Sequence, residues 1–140
     1  MIPTQKPRHT DCRPVGEILH QIGGKWTMLV ITQLGDGSMR FSELKRSIEA
    51  VSQKVLTATL RDLEMDGFVT RTVTPSIPPR VDYELTELGR NLLVPVMALG
   101  AWAIENQKHI IDARRRYLDL HPDAVPSRTV AVAQLRQAAE

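Results

Sequence analysis

Between Val69 and Leu85 the apolar residues recur at every second position, whereas on either side of that stretch they recur every three to four. In "FVTRTV" the side chains of Val69, Arg71 and Val73 share a side, and in "RVDYEL" those of Val81, Tyr83 and Leu85 do. One hairpin inside an otherwise helical chain is the consequence. The intervening "TPSIPP" is too rich in proline to extend either strand and too long for a two-residue turn, so it is predicted to project as a stiff loop.

The flanking segments read as helices. Pro14 suits a first helical turn, and "VGEILHQI" places Val15, Ile18, Leu19 and Ile22 at helical spacing before Gly23 and Gly24 end it. After Lys25, "WTMLVITQL" is apolar on nearly every side and stops at "GDG". Its length selects a buried central helix over the strand that its β-branched residues also allow. "RFSELKRSI" offers Phe41, Leu44, Lys45 and Ile48 as an inner face, with the lysine contributing its aliphatic stem. After "EAV", Ser52 is a fitting N-cap for a helix that buries Leu56, Leu60 and Leu63 and ends at Asp66 and Gly67. Thr86 then caps a long helix, "ELGRNLLVPVMALGAWAIENQKHIIDARRRYLDL". Its residues Leu92, Val96, Leu99 and Ala103 form one apolar face and Leu93, Met97, Gly100 and Ile104 another, a stripe wide enough to want a second chain as well as the core. Trp26 and Trp102 read as core or interface residues, and Arg114, Arg115 and Arg116 as a solvated run complementing the helix dipole. The resulting organisation is an N-terminal arm over 1–13, one domain over 14–120, and a tail over 121–140 that is either disordered or one further small helix.

A chain of 140 residues with 42% hydrophobic content suits one core. The longest apolar stretch, "LLVPVMALGAWAI", is shorter than the ~20 residues a membrane span needs and is broken by Pro95 and Gly100. With no apolar run following the basic N-terminus, a soluble cytoplasmic protein is expected. A single cysteine, Cys12, excludes an intrachain disulfide, and one Cys with four scattered His lacks paired metal-ligand spacing. No Gly-rich phosphate loop and no Ser/His/Asp arrangement in recognisable context is present, so neither catalytic residues nor a cofactor is expected. The net charge of +2 is too small to argue for nucleic acid by itself. Any such argument must rest on where charge is placed.

The outward face of the helix after Ser52 supplies that placement. It carries Gln53, Lys54, Thr57, Ala58 and Arg61, while Asp62, Glu64 and Asp66 gather toward the C-terminal end. Ser, Gln and Thr can hydrogen-bond base edges and phosphates, Lys and Arg can meet guanine or phosphate, and Ala58 and the Thr57 methyl can meet a thymine methyl. The order helix, helix, helix, turn, helix, hairpin, helix is that of a mainly α fold with a small β-hairpin. It is the order of a winged helix-turn-helix, whose second paired helix enters the major groove of double-stranded DNA.

"IGGKWTMLVI", "RFSELKRSI", "VSQKVLTATLRDLEMDGFVTR" and "PPRVDYELTELG" together resemble the HxlR-type transcriptional regulators, near the MarR-like winged-helix proteins, over about Cys12 to Trp102. The resemblance implies a homodimeric DNA-binding regulator that reads two half-sites, with the first and last helices building the dimer. By the same carry-over the recognition helix is Ser52 to Asp66, Arg80 is the wing arginine, and Arg40 at the start of the preceding helix contacts phosphate. Arg80 has a second reading, that of stiffening the hairpin through a cross-strand charge pair.

Cys12 lies near the start of the first helix, with His9 and Arg13 close in sequence, and helix N-termini and cations favour the reactive thiolate. Several HxlR-like regulators resemble this chain in carrying a cysteine before the first helix and responding there to quinones, aldehydes or disulfide stress. Many of those relatives read Cys-Pro-Val, whereas "CRPV" inserts Arg13. Cys12 is thus a redox or electrophile sensor, or a small apolar residue with no chemistry. Two further readings compete with a Cys12 switch: a non-covalent small-molecule effector held at the dimer interface, and a winged helix used for protein contacts.

Overall fold

The computed structural model describes residues 12–124, with side chains from Pro14 onward. The expectations for the N-terminal arm up to residue 11 and for the tail from residue 125 lie outside the described residues. The elements run α1 (Cys12–Ile22), α2 (Lys25–Leu34), β1 (Met39–Arg40), α3 (Phe41–Ser47), α4 (Gln53–Met65), β2 (Val69–Thr74), β3 (Arg80–Leu85) and α5 (Glu87–Leu120). Every helix expected from apolar spacing is present, and α1 begins two residues before Pro14. Cys12 therefore lies inside the first turn of α1.

Helix gives way to strand at Gly67 for a local reason. Phe68 N–H donates to the Leu63 carbonyl at 2.9 Å and Gly67 N–H to the Glu64 carbonyl at 3.1 Å, which closes α4 in a Schellman motif. That motif needs a left-handed residue, and Gly67 supplies it with φ +80°. The released chain then forms β2, which pairs antiparallel with β3 in the register Val69↔Leu85, Arg71↔Tyr83 and Val73↔Val81. The alternation read from sequence thus puts the expected residues on a common side. A third strand was not legible: β1 adds to the free edge of β3, with Met39 opposite Tyr83 and Arg40 opposite Asp82, giving the order β1-β3-β2.

The chain divides into two compact units at Met97/Ala98, and α5 contributes to both. In the first unit, Val30, Ile31 and Leu34 of α2 meet Leu44 of α3, Ile48 at its C-cap, and Leu56, Leu60 and Leu63 of α4. Val69, Tyr83 and Leu85 close one side of this core, and Val96 of α5 joins it. Trp26 is half-buried against the same cluster, in keeping with its expected packing role. Burying these branched and aliphatic side chains contributes roughly 1.5–3 kcal/mol each and fixes which face of α4 points inward. The second unit contains the rest of α5, whose Leu99, Trp102, Ile104, Tyr117 and Leu120 are exposed. Of the arginine run there, Arg114 and Arg116 are exposed, whereas Arg115 is half-buried and lies 3.8 Å from Asp112. Among the described residues, no helix is long and apolar enough to cross a membrane.

Candidate nucleic-acid interface

Three leucines set the phase of α4. With Leu56, Leu60 and Leu63 fully buried, helical geometry forces the opposite stripe outward. Gln53, Lys54, Thr57 and Arg61 are exposed there, Ala58 is half-buried between them, and the five line one shallow open groove along the helix. The sequence-predicted face is therefore assembled as a continuous surface. Thr59 is not part of it, because its hydroxyl donates to the Val55 carbonyl at 2.8 Å. Arg61 lies 3.8 Å from Asp62 with both side chains well exposed, a pairing too weak and too solvated to hold the guanidinium.

Ser52 stands at the N-terminal end of this surface and caps it as expected. Its hydroxyl oxygen accepts the Val55 N–H at 3.2 Å, and its carbonyl accepts the Leu56 N–H at 2.9 Å. Because the hydroxyl acts there as acceptor, its proton remains able to donate to a phosphate. The helix N-terminus adds a partial positive charge at the same end, opposite the end that carries Glu64 and Asp66.

Arg40 and Arg80 form a second patch. Arg40 is the last residue of β1 and the N-cap of α3 rather than a residue of that helix, and its backbone N–H donates to the Glu43 carboxylate at 3.4 Å. The sheet sets Arg40 opposite Asp82, and Asp82 is two residues along β3 from Arg80, on the same face. The Arg80 Nε donates to Asp82 Oδ2 at 3.0 Å and Oδ1 at 3.2 Å. Sequence reasoning offered a cross-strand partner for Arg80; the observed partner is on its own strand. Asp82 went unnoticed, although the i, i+2 spacing in "RVD" is a sufficient signal once a strand is accepted. Its carboxylate orients the Arg80 guanidinium, leaving the Arg80 side chain about half exposed at 46%.

The end of α4 is tied to the start of α5. The Thr86 hydroxyl donates to the Gly67 carbonyl at 2.6 Å and accepts the Gly89 N–H at 3.1 Å, so one side chain caps α5 and grips the turn that ends α4. Next to this clasp lies a cavity of about 790 Å³, lined by Glu17, Ile18, Gln21 and Ile22 of α1, by Asp66 and Phe68, and by Leu88, Asn91 and Leu92 of α5. The Cys12 side chain lies outside the described residues. Among the described residues, no three His, Cys, Asp or Glu side chains converge as metal ligands.

The family model for the HxlR-like helix-turn-helix matches residues 21–111, which takes in α2 through the hairpin and much of α5. The chain belongs to the HxlR-like helix-turn-helix family. It is a transcriptional regulator of HxlR type with a DNA-binding winged helix-turn-helix. An HTH-type transcriptional regulator of Methanothermobacter thermautotrophicus is 48% identical over 84 residues, which cover 60% of this chain and 64% of that one. The solved structure of the transcriptional regulator ytfH from Salmonella typhimurium superposes with a TM-score of 0.70 at 35% identity, over 78% of this chain and 98% of that one. The redox regulator HypR in its oxidised form superposes with a TM-score of 0.62 at 42% identity, over 66% of this chain and 96% of that one.

Proposed function

We propose that this regulator binds a two-half-site operator as a homodimer, with α4 in the major groove, and is switched by chemical modification of Cys12. The observation that carries the DNA reading is the exposed α4 face, whose polar and basic residues stand on a helix phased by three buried leucines. Gln53, Lys54, Thr57 and Arg61 read base edges or adjoining phosphates there, and Ser52 donates to a phosphate at the helix start. Arg40 contacts backbone phosphate, and Arg80 flanks the groove from the base of the wing. The side chains exposed on this face argue against a protein-docking role, which acidic or bulky apolar groups would favour.

Two apolar faces support dimerisation. Val15, Ile18 and Leu19 are exposed on α1, and Leu99, Trp102 and Ile104 on α5, a density of uncovered aliphatic surface that water does not favour. A homodimer serves the operator as well, because two recognition helices must be set about 34–36 Å apart to meet successive half-sites. Cys12 lies in the first turn of α1, on a helix that this dimer uses, so a modification there alters the spacing. The likeness to a redox regulator supports the same reading. Each protomer has a single cysteine, so the available products are an intersubunit disulfide, a mixed disulfide with a small thiol, a sulfenic acid or an alkylated sulfur.

The test is a fluorescence-anisotropy titration of reduced protein against the DNA upstream of its own gene and a scrambled duplex at one stated salt concentration. A preference of ~10³-fold or more is expected, and treatment with diamide or a quinone should abolish it in the wild type but not in Cys12→Ser. The cavity beside the α4 terminus favours a second reading, a non-covalent effector. In that case Cys12→Ser leaves the response to the inducer intact.

A further inference from the structure

Ile77 at the wing tip has no place in the core. It is fully exposed, and it is held there by a rigid frame. Pro75 precedes the tip and Pro78 and Pro79 follow it, each fixing its own backbone torsion. Ser76 N–H donates to the Thr74 carbonyl at 2.9 Å and Ser76 Oγ to the Pro78 carbonyl at 2.8 Å, which closes the loop under Ile77. A single exposed apolar residue usually means little. An aliphatic side chain fixed at the apex of a stiff projection differs, because little further ordering is needed when it makes contact.

The chemistry of the tip narrows what that contact is. From Thr74 to Pro79 the loop has no charged residue, and the nearest cation along the chain, Arg80, is held by Asp82 at 3.0 Å. Insertion of an arginine into the minor groove, the electrostatic way for a wing to read its width, is not available at this apex. The minor groove is about 6 Å wide, so it admits a loop apex rather than a two-stranded ribbon. An aliphatic side chain brought there packs on sugars and base edges and wedges most easily into flexible pyrimidine–purine steps.

We infer that Ile77 is a minor-groove wedge, a specificity-determining residue that selects deformable TA or CA/TG steps flanking each half-site without hydrogen-bonding any base. This rests on the DNA-binding reading above. The two separate experimentally, since α4 reads the half-site and Ile77 its flank.

The experiment starts from a random duplex library selected with the wild-type protein, Ile77→Ser and Ile77→Met. The winning wild-type duplex is then resynthesised with 2-aminopurine at successive flanking positions, and its fluorescence is followed on binding. The wild type should enrich a flanking TA or CA/TG step and raise 2-aminopurine emission there at least twofold. Ile77→Ser should keep the half-site sequence, lose the rise, and lose roughly tenfold discrimination at the flanking step, while Ile77→Met restores both. Because residue 77 lies outside the core, the serine variant should fold. A common half-site with no flanking step and no emission change overturns the wedge and leaves the regulator reading standing. Failure of the wild type to enrich any sequence overturns both.

Discussion

At the scale of single residues, the interface is decided by which charges are held and which are free to move. Arg61 and Lys54 project from α4 with no buried partner among the described residues, whereas Arg80 is engaged by Asp82. Replacing Asp82 with Asn should release Arg80 to neutralise a further phosphate. The slope of log K against log salt should then steepen by about 0.9, and affinity for non-operator duplex should rise. Stability should move by less than about 1 kcal/mol, since the pair is partly solvated. An unchanged salt slope in anisotropy titrations would show that Arg80 does not reach the backbone. Thr57→Ala and Arg61→Ala should alter sequence preference, while Arg40→Ala should weaken all duplexes evenly and lower the slope by about one phosphate. Equal effects of the three on every DNA would contradict the assignment. The α4 residues were legible in the sequence because three leucines at helical spacing fix the phase of everything between them. Asp82 was not, because its role depends on β1 bringing Arg40 alongside and on the Arg80 side chain folding along its own strand.

At the scale of elements, capping and close approach fix the frame of α4. Gly67 needs its left-handed conformation, and an added Cβ would meet nothing within 4 Å, so Gly67→Ala should cost only backbone strain, about 1–2 kcal/mol. Gly89 is the opposite case. A Cβ there would collide with the Phe68 carbonyl, so Gly89→Ala should push α5 off the turn that follows α4 and cost more, about 3 kcal/mol. Loss of the Ser52 cap by substitution with Ala should cost about 1 kcal/mol. Urea denaturation followed by circular dichroism, at one protein concentration, should return that ranking, and a Gly67→Ala cost equal to that of Gly89→Ala would argue against it. These elements differ in how far sequence could reveal them. The helices and the hairpin carry their own periodicity and Gly, Pro and Thr punctuation. β1 is two residues long, too short to display a period, and it exists only because the edge of β3 is there to pair with it. The cavity beside the α4 terminus is likewise a product of packing, since its walls come from α1, the Gly67 turn and α5.

At the scale of the whole molecule, the question is what covers the apolar surface of α5 beyond the first unit. Leu99, Trp102 and Ile104 are each more than half exposed, and Trp102 and Trp26 are the two tryptophans of the chain. This makes association visible by fluorescence. Trp26 is already half-buried against the core, so shielding that appears with rising protein concentration reports on Trp102. Acrylamide quenching of the wild type should therefore fall as concentration passes the dimer dissociation constant, and should stay high in Ile104→Asp. That variant places an unpaired charge in the proposed interface without removing a core side chain, so its circular dichroism should match the wild type. Sedimentation equilibrium should show association weakened, with a dimer dissociation constant in the micromolar range or beyond. Affinity for a duplex with two half-sites should fall by about 10²-fold or more, because the second contact loses its tether, while affinity for a single half-site stays the same. If Ile104→Asp still sediments as a dimer with Trp102 shielded, the dimer is built from another face, and the proposed coupling between the α1 terminus and recognition-helix spacing must be redrawn from that face.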